Sequence, residues 1–262
     1  MIAIPSLMLA GTTTDTSLIV TLVCIVSGIF VLVEYNTVSP SLIEFRDAPP
    51  FNRVRYLGLA TTVLTLTIIA KGYSQPTNLT LLFELVGSNL AEAMDFPYSP
   101  VRLVVLMLPA EASADLASRV RTAAGLSYLV SLVSLAIFVL ALRLKNWPNQ
   151  RGGFNVWTNL PTFDPTAGGD VVKRLERDGQ MNLIFGFLLP FLIPAFVKLA
   201  SDMFNPIQLQ DPHTLIWMMT AWAFIPASLI MRGIAMLRVA QMISYQREVA
   251  YMEASTEDSL TA

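Results

Sequence analysis

Residues 44–55 read "EFRDAPPFNRVR", a polar segment that contains three arginines and two prolines. The run before it, "LIVTLVCIVSGIFVLV", and the run after it, "YLGLATTVLTLTIIA", carry no charge. Proline has no backbone N–H and interrupts a helix, and arginines beside apolar helices lie at the level of anionic lipid headgroups. The pattern predicts a loop between two membrane-spanning helices. A second interpretation makes this segment a docking loop for a partner, with Phe45 and Phe51 as contacts.

The composition of the chain is that of a membrane protein. Of its 262 residues, 54% are hydrophobic and 14% are charged, whereas a soluble domain has about 25% charged residues. The net charge of −2 gives no indication of a nucleic-acid partner. The single cysteine, Cys24, has no internal disulfide partner, and one cysteine with one histidine, His213, argues against a metal site within one chain.

Five apolar stretches are long enough to cross a bilayer, which takes about 20 residues in a helix. Helices are expected because lipid offers no partner for unpaired backbone groups. The sequence therefore predicts an all-α, polytopic integral membrane protein that forms a single membrane domain over residues 1–262. We expect a short N-terminal tail, a loop at 146–180 and a C-terminal helix and tail at 239–262. The predicted spans are 16–34, 54–71, 124–144, 182–199 and 213–237.

Two weaker apolar stretches lie between the second and third spans. Residues 79–94 carry apolar side chains at helical spacing, and residues 76–78 supply a helix start, so we predict an amphipathic helix on the outer membrane surface. Residues 101–109 are too short to span and are expected to form an interfacial turn or a re-entrant piece. The sequence leaves open whether either stretch enters the bilayer. The apolar stripe of the first comprises Leu79, Leu82, Phe83, Val86, Leu90 and Ala93.

Capping patterns extend two of the spans and add a short helix. Ser113 is a good N-cap, so the third helix is expected to begin there and to run to about Lys145. A short helix is predicted from the cap Asp170 to Gly179, because glycine commonly ends helices. The fifth helix is expected to continue past Arg232.

Lysine and arginine placement gives the orientation. With the N-terminus outside, the inner segments carry twelve of these residues and the outer segments five. We therefore expect the N-terminus outside and the C-terminus in the cytoplasm, in a bacterial inner membrane. The inner set is Arg46, Arg53, Arg55, Arg143, Lys145, Arg151, Lys173, Arg174, Arg177, Arg232, Arg238 and Arg247.

Charged residues within the spans are few. Glu34, Lys71 and Lys198 lie at span ends, where we expect them to snorkel to the interface. Arg232 lies deepest and is expected to anchor at the headgroups or to pair with an inner-loop acid or a lipid headgroup. The candidate anchors for lipids or partners are Arg46, Arg53, Arg55, Trp147, Trp157 and Arg232.

Prolines and serines mark special positions in three spans. Pro190, Pro194 and Pro226 are candidate kink or gating residues, although a static packing role is favoured because no polar residue accompanies them. The i, i+4, i+7 spacing of three serines in the third span favours close helix packing over a pore lining. These packing candidates are Ser127, Ser131 and Ser134.

The sequence contains no catalytic constellation, and it predicts no metal or cofactor; bound lipid or pigment remains open. We therefore expect a non-enzymatic membrane subunit, an accessory or scaffold of a larger complex or homo-oligomer. Its partners would be membrane lipids and other membrane subunits or copies of itself. A small transporter or channel that uses the kinked fourth and fifth helices is the alternative, and a lipid-modifying membrane enzyme is third.

Overall fold

A computed structural model describes residues 1–9, 14–47, 49–145, 147–148, 154–164, 166, 168–203 and 209–261. Helices and their connections make up this described part, which contains no β-strand. Five of the helices, α2, α3, α6, α8 and α9, are long and apolar enough to cross a membrane. The prediction of an all-α protein with five spans is confirmed. The helices are α1 Ile4–Met8, α2 Thr14–Asn36, α3 Phe51–Ser74, α4 Asn78–Met94, α5 Pro100–Leu106, α6 Ala114–Leu144, α7 Val156–Asn159, α8 Val171–Met203 and α9 Pro212–Thr261.

Four of the five long helices form one bundle. The contact between α8 and α9 is the most extensive, and α6 packs against both α9 and α3. The shorter α4 lies against α6 and α3, and α5 lies against α6 and α8. In contrast, α2 is in none of these helix pairs, and no residue of its apolar stretch is buried. The chain therefore consists of a packed bundle with one span standing apart.

Two hydrophobic clusters fill the bundle, one towards each end. The cluster at the arginine-rich end, called here the basic end, contains Phe45, Phe51, Phe138, Leu160, Leu175 and Met236. The cluster towards the opposite end contains Leu66, Ile69, Val101, Val104, Ile216 and Met219. Residues 37–47, α7 and the first turn of α8 lie at the basic end, where Phe45, Leu160 and Val172 join its cluster.

The start of α8 departs from the sequence prediction. Asp170 caps it as predicted, since its carboxylate accepts the backbone N–H of Val172 at 3.1 Å. The helix does not stop at Gly179 and continues to Met203. The reason is tertiary: a Cβ at Gly179 would lie 3.0 Å from the side chain of Leu237, so this glycine gives α9 room to approach.

The helix starts predicted for the amphipathic segment (residues 79–94) and for the third span are both present. Ser113 Oγ accepts the N–H of Leu116 at 3.1 Å, and α6 runs unbroken to Leu144. Thr77 caps α4, which packs on the bundle through a face of small residues. That face contains Thr80, Gly87 and Ala91.

The predicted stripe of α4 faces away from the bundle, because Leu79, Leu82, Val86 and Leu90 are exposed. An apolar surface of this kind suits contact with lipid.

Next along the chain, α5 is buried against α6 and α8 through two of its valines. The two chain ends also differ from expectation. Residues 4–8 form α1, which packs on α3 in place of a simple tail, and α9 remains helical to Thr261.

Candidate functional site

The carboxylate of Glu34 organises the turn that follows α2. It is buried, with 4% of the residue exposed, and it accepts the backbone N–H groups of Ser41, Leu42 and Ile43 at 3.0–3.1 Å. Charge-assisted bonds of this kind are about twice as strong as neutral ones. The expectation that Glu34 snorkels to the interface is therefore wrong, because the chain folds its own amides around the charge.

Phe45 and Phe51 belong to the core. Both side chains are almost completely buried, and their ring centroids lie 4.4 Å apart. The N–H of Phe45 donates to the carbonyl of Asn159 at 2.6 Å, and the N–H of Asp47 donates to Asn159 Oδ1 at 3.1 Å. These bonds hold the loop against α7. The interpretation of the two phenylalanines as partner contacts is wrong, since neither ring reaches the surface.

Arg232 forms a two-bond ion pair with Glu44 of the same loop. Its Nε lies 2.6 Å from Oε2, and its Nη2 lies 2.8 Å from Oε1. The hydroxyl of Thr162 also donates to Glu44. Only 10% of the Glu44 side chain and 26% of the Arg232 side chain are exposed. An inner-loop acid was one of the partners expected for Arg232, and this pair neutralises both charges.

Arg55 lies one turn into α3, and the side chains that contact its guanidinium are neutral. Its Nε donates to Ser228 Oγ at 3.2 Å. Its guanidinium carbon lies 5.0 Å from the ring centroid of Phe51 and 5.8 Å from that of Phe224, within the range of cation–π attraction. Among the described residues it forms no ion pair. Arg55 is thus a fixed, half-buried cation without an ion-pair partner of its own, since the nearby carboxylate of Glu44 is bonded to Arg232.

A cleft of about 620 Å³ opens beside Arg55, between α2 and the bundle. We call it the α2 cleft. Its walls come from α2, the loop at residues 42–44, α3 and α9. Its charged groups are Glu44, Arg55 and Arg232, and the remaining lining residues are Phe30, Val31, Tyr35, Leu42, Ile43, Asn52, Tyr56, Phe224, Ile225, Ser228 and Leu229. The arrangement combines a polar end with apolar walls.

The other candidate anchors are spread around the basic end. Arg46 donates to the carbonyls of Glu34 and Thr37 and so closes the end of α2. Trp147 packs against Phe45 in the core. The remaining two, Arg53 and Trp157, are exposed, and Arg151 lies outside the described residues.

The three span prolines lie where α8 and α9 meet. Pro194 has no N–H, so the carbonyl of Pro190 loses its helical partner. The indole of Trp222 replaces it, donating from Nε1 to that carbonyl at 3.1 Å. A Cβ at Gly186 would lie 2.8 Å from the carbonyl oxygen of Pro226. The carbonyls of Pro190 and Pro226 are therefore both met by the neighbouring helix.

The three serines of α6 are all buried in the bundle. Ser127 donates its hydroxyl to the carbonyl of Ala123 at 2.7 Å. Ser134 lies against α3, where a Cβ at Gly58 would meet its Oγ at 2.5 Å. Ser134 therefore lies at a close contact between α6 and α3, and the packing role of the three serines stays a prediction.

Sequence reasoning missed an ionic cluster at the end of the bundle opposite the basic end. Asp95 follows α4, and its side chain is only 5% exposed. Its carboxylate lies 2.8 Å from Nε of Arg102 on α5 and 2.7 Å from Nε of Arg121 on α6. The cluster ties three helices together. A lone aspartate between two short apolar stretches was the available signal, but its partners depend on how α5 folds back.

An ion pair joins the start of α8 to the C-terminal half of α9 at the basic end. Arg247 Nη1 donates to Asp170 Oδ1 at 2.7 Å, and this bond, with the N–H of Val172, lowers the pKa of Asp170 below its ordinary value. A carboxyl whose native pKa is depressed stabilises the fold above its unfolded pKa, and this stabilisation is lost as the pH falls through the native value. We expect Arg247→Gln to lower the melting temperature in detergent at pH 7. The difference from the wild type should vanish in strong acid; an equal difference at all pH values would contradict the assignment.

Comparison with known proteins adds no assignment to this geometry. The chain matches no protein-family model, and searches of curated proteins and of solved structures find no similar chain.

Proposed function

We propose that this protein is a non-enzymatic integral membrane subunit, an accessory or scaffold component of a larger membrane complex or of a homo-oligomer. The observation that carries the proposal is that α2 is long and apolar enough to span a membrane but does not pack into the bundle of its own chain. Lipid can surround an apolar helix at no cost. An exposed span alone therefore indicates no partner, whereas the residues on the surface of α2 do.

Gly28 of α2 differs from the other glycines of the described helices. At seven of them, a Cβ would meet a neighbouring atom at 3.0 Å or less, so each lies at a close contact. At Gly28 nothing lies within 4 Å. Gly58, Gly72, Gly87, Gly125, Gly179, Gly186 and Gly233 are the seven. In this chain a helical glycine otherwise marks a packing site, which favours a contact of the same kind at Gly28 with another chain.

Small residues extend this position into a stripe. Ser17, Thr21 and Cys24 precede Gly28 at spacings of four, three and four residues, which places them on one side of α2. Small residues on one stripe let two membrane helices approach closely. The hydroxyl of Thr21 donates to the carbonyl of Ser17 at 2.8 Å, so it presents no unpaired group to lipid. The stripe fits a spanning helix of a second subunit or of a second copy.

The alternative, a small transporter or channel, has weaker support. The kink region of α8 and α9 would have to open, yet Trp222 already satisfies the carbonyl freed by Pro194. The cavity beside Pro194, about 220 Å³, is lined by apolar side chains and offers a solute no polar group. Solute flux into liposomes that Pro190→Ala abolishes would favour this alternative.

The first test of the proposal is the substitution Gly28→Leu. We expect it to remove the protein from its native assembly, because a leucine side chain keeps the backbones of two helices apart. The assembly is measured by native gel mobility and by mass spectrometry of what co-purifies in mild detergent. A shift to the mass of one chain is the expected result for the variant, in contrast to the wild type.

Val26→Leu is the matched control. Val26 is as apolar and as exposed as the neighbouring residues of α2, and it lies on the opposite side of the helix from Gly28. We expect Val26→Leu to leave the assembly intact. Wild-type protein that purifies as a single chain without fixed partners would contradict the proposal.

A further inference from the structure

The α2 cleft has the features of a lipid site. We propose that it binds one phospholipid, whose phosphate lies against Arg55 and whose acyl chain lies between α2 and α9. Gly28 lies on the same side of α2 as Tyr35 of the cleft, two turns away, so the lipid would lie beside the proposed partner contact. The inference rests on the charge balance of the cleft, on the geometry of one guanidinium and on the order of polar and apolar walls.

The charge balance of the cleft favours an anion. Of its fourteen lining residues, three are charged. Glu44 and Arg232 neutralise each other through two hydrogen bonds. Arg55 therefore leaves one net positive charge on the cleft wall. A cation that is partly removed from water and has no acid partner is costly, and a bound anion removes this cost.

The guanidinium of Arg55 is fixed in a position suited to phosphate. Its Nε is bonded to Ser228, and its plane lies near the ring of Phe51. The two terminal nitrogens make no hydrogen bond with any residue in the described part of the chain, so they remain available. Arginine presents its N–H groups as a planar fork that matches two oxygens of a phosphate.

The order of the walls favours a lipid over a soluble anion. On α9, Ile225 lies about two turns before Arg232 and so further from the basic end. On α2, Phe30 and Val31 precede Tyr35 by about one turn and also lie further from the basic end. Ile225, Phe30 and Val31 are exposed within this chain. The charged residues of the cleft thus lie nearer the basic end, and its apolar walls lie nearer the middle of the bundle. This order matches a lipid headgroup followed by acyl chains. A free phosphate ion would gain nothing from these walls.

The experiment is a lipid titration of the delipidated full-length protein, followed by native mass spectrometry. The probes are phosphatidylglycerol and, separately, inorganic phosphate. We expect one phosphatidylglycerol per chain, and an affinity about tenfold lower for Arg55→Gln, because a hydrogen-bonded charge is lost. Arg53→Gln is the control: Arg53 is exposed, lies two residues away on the other side of α3, and should change the affinity less than twofold.

A second variant keeps the charge of Arg55 and fills the apolar part of the α2 cleft. Ile225→Trp should fill the apolar part of the cleft and remove the bound lipid even if Arg55→Gln fails to fold. Equal losses for Arg53→Gln and Arg55→Gln would overturn the proposal in favour of general surface attraction. Displacement of the lipid by equimolar inorganic phosphate would overturn it in favour of a soluble-anion site. Release of a bound protein by Arg55→Gln, with no lipid present, would overturn it in favour of a partner contact. The number of lipids per chain and the mass of the assembly are separate readouts, so failure of the lipid site leaves the Gly28→Leu test to be judged on assembly mass alone.

Discussion

Glu44→Gln is expected to lower the free energy of unfolding by about 3 kcal/mol, because it leaves Arg232 partly buried without its partner. The pair joins the loop at residues 37–47 to the middle of α9, and both side chains are mostly buried. Breaking a buried pair from one side typically costs about 3–5 kcal/mol, and the partial exposure of Arg232 argues for the lower end. The unfolding free energy can be measured in mixed micelles with increasing SDS.

The double variant Glu44→Leu with Arg232→Met provides the decisive comparison. Replacing both members of a buried pair by apolar residues often costs little, so the double variant should be more stable than either single one. Asp115→Asn is the control, since Asp115 and Arg119 form an exposed pair four residues apart on α6, worth about 0.5 kcal/mol or less. A double variant whose loss equals the sum of the two single losses would show that the pair does not act as a unit.

In single chains separated by detergent, Gly233→Ala and Gly28→Ala are expected to change the free energy of unfolding in opposite directions. Alanine favours a helix over glycine by about 1 kcal/mol, and Gly28 has open space around it. At Gly233, in contrast, a Cβ would lie 2.7 Å from the carbonyl oxygen of Gly179 on α8. The two helices must then move apart, which costs about 1–3 kcal/mol.

Trp222 fluorescence can follow this separation, because its indole bridges α9 to the Pro190 carbonyl on α8. Gly233→Leu should lower the free energy of unfolding more than Gly233→Ala does, by about 3 kcal/mol or more. Stabilisation by Gly233→Ala would mean that the close approach of α8 and α9 does not occur. Since the two alanine variants share the same chemistry, their difference isolates the effect of packing.

Local signals predicted the ends of several helices, but not where glycines act. The caps Thr77, Ser113 and Asp170 each satisfy N–H groups within their own helix, so their effect is readable from a few neighbouring residues. Gly179 was misread as a helix end because the same residue type serves both a C-cap and a close helix crossing. The choice between them depends on α9, which lies more than thirty residues further along the chain.

The candidate site was predicted as a set of residue types and not as an arrangement. Arg55 and Arg232 were recognised as anchors because cations near span ends are expected at headgroups. Their different states were not predictable, since Glu44 pairs with a residue 188 positions away. Glu34 was also misassigned, because its partners are backbone amides whose direction depends on the fold of a turn.

The sequence alone determined that this is a helical membrane protein with five candidate spans, because a bilayer imposes length and apolarity on each span separately. Only the tertiary structure decided which span stays outside the bundle and which cation keeps its charge uncompensated. Those two features arise from contacts between distant segments, and apolar spans of similar composition can either pack together or face lipid at little difference in energy.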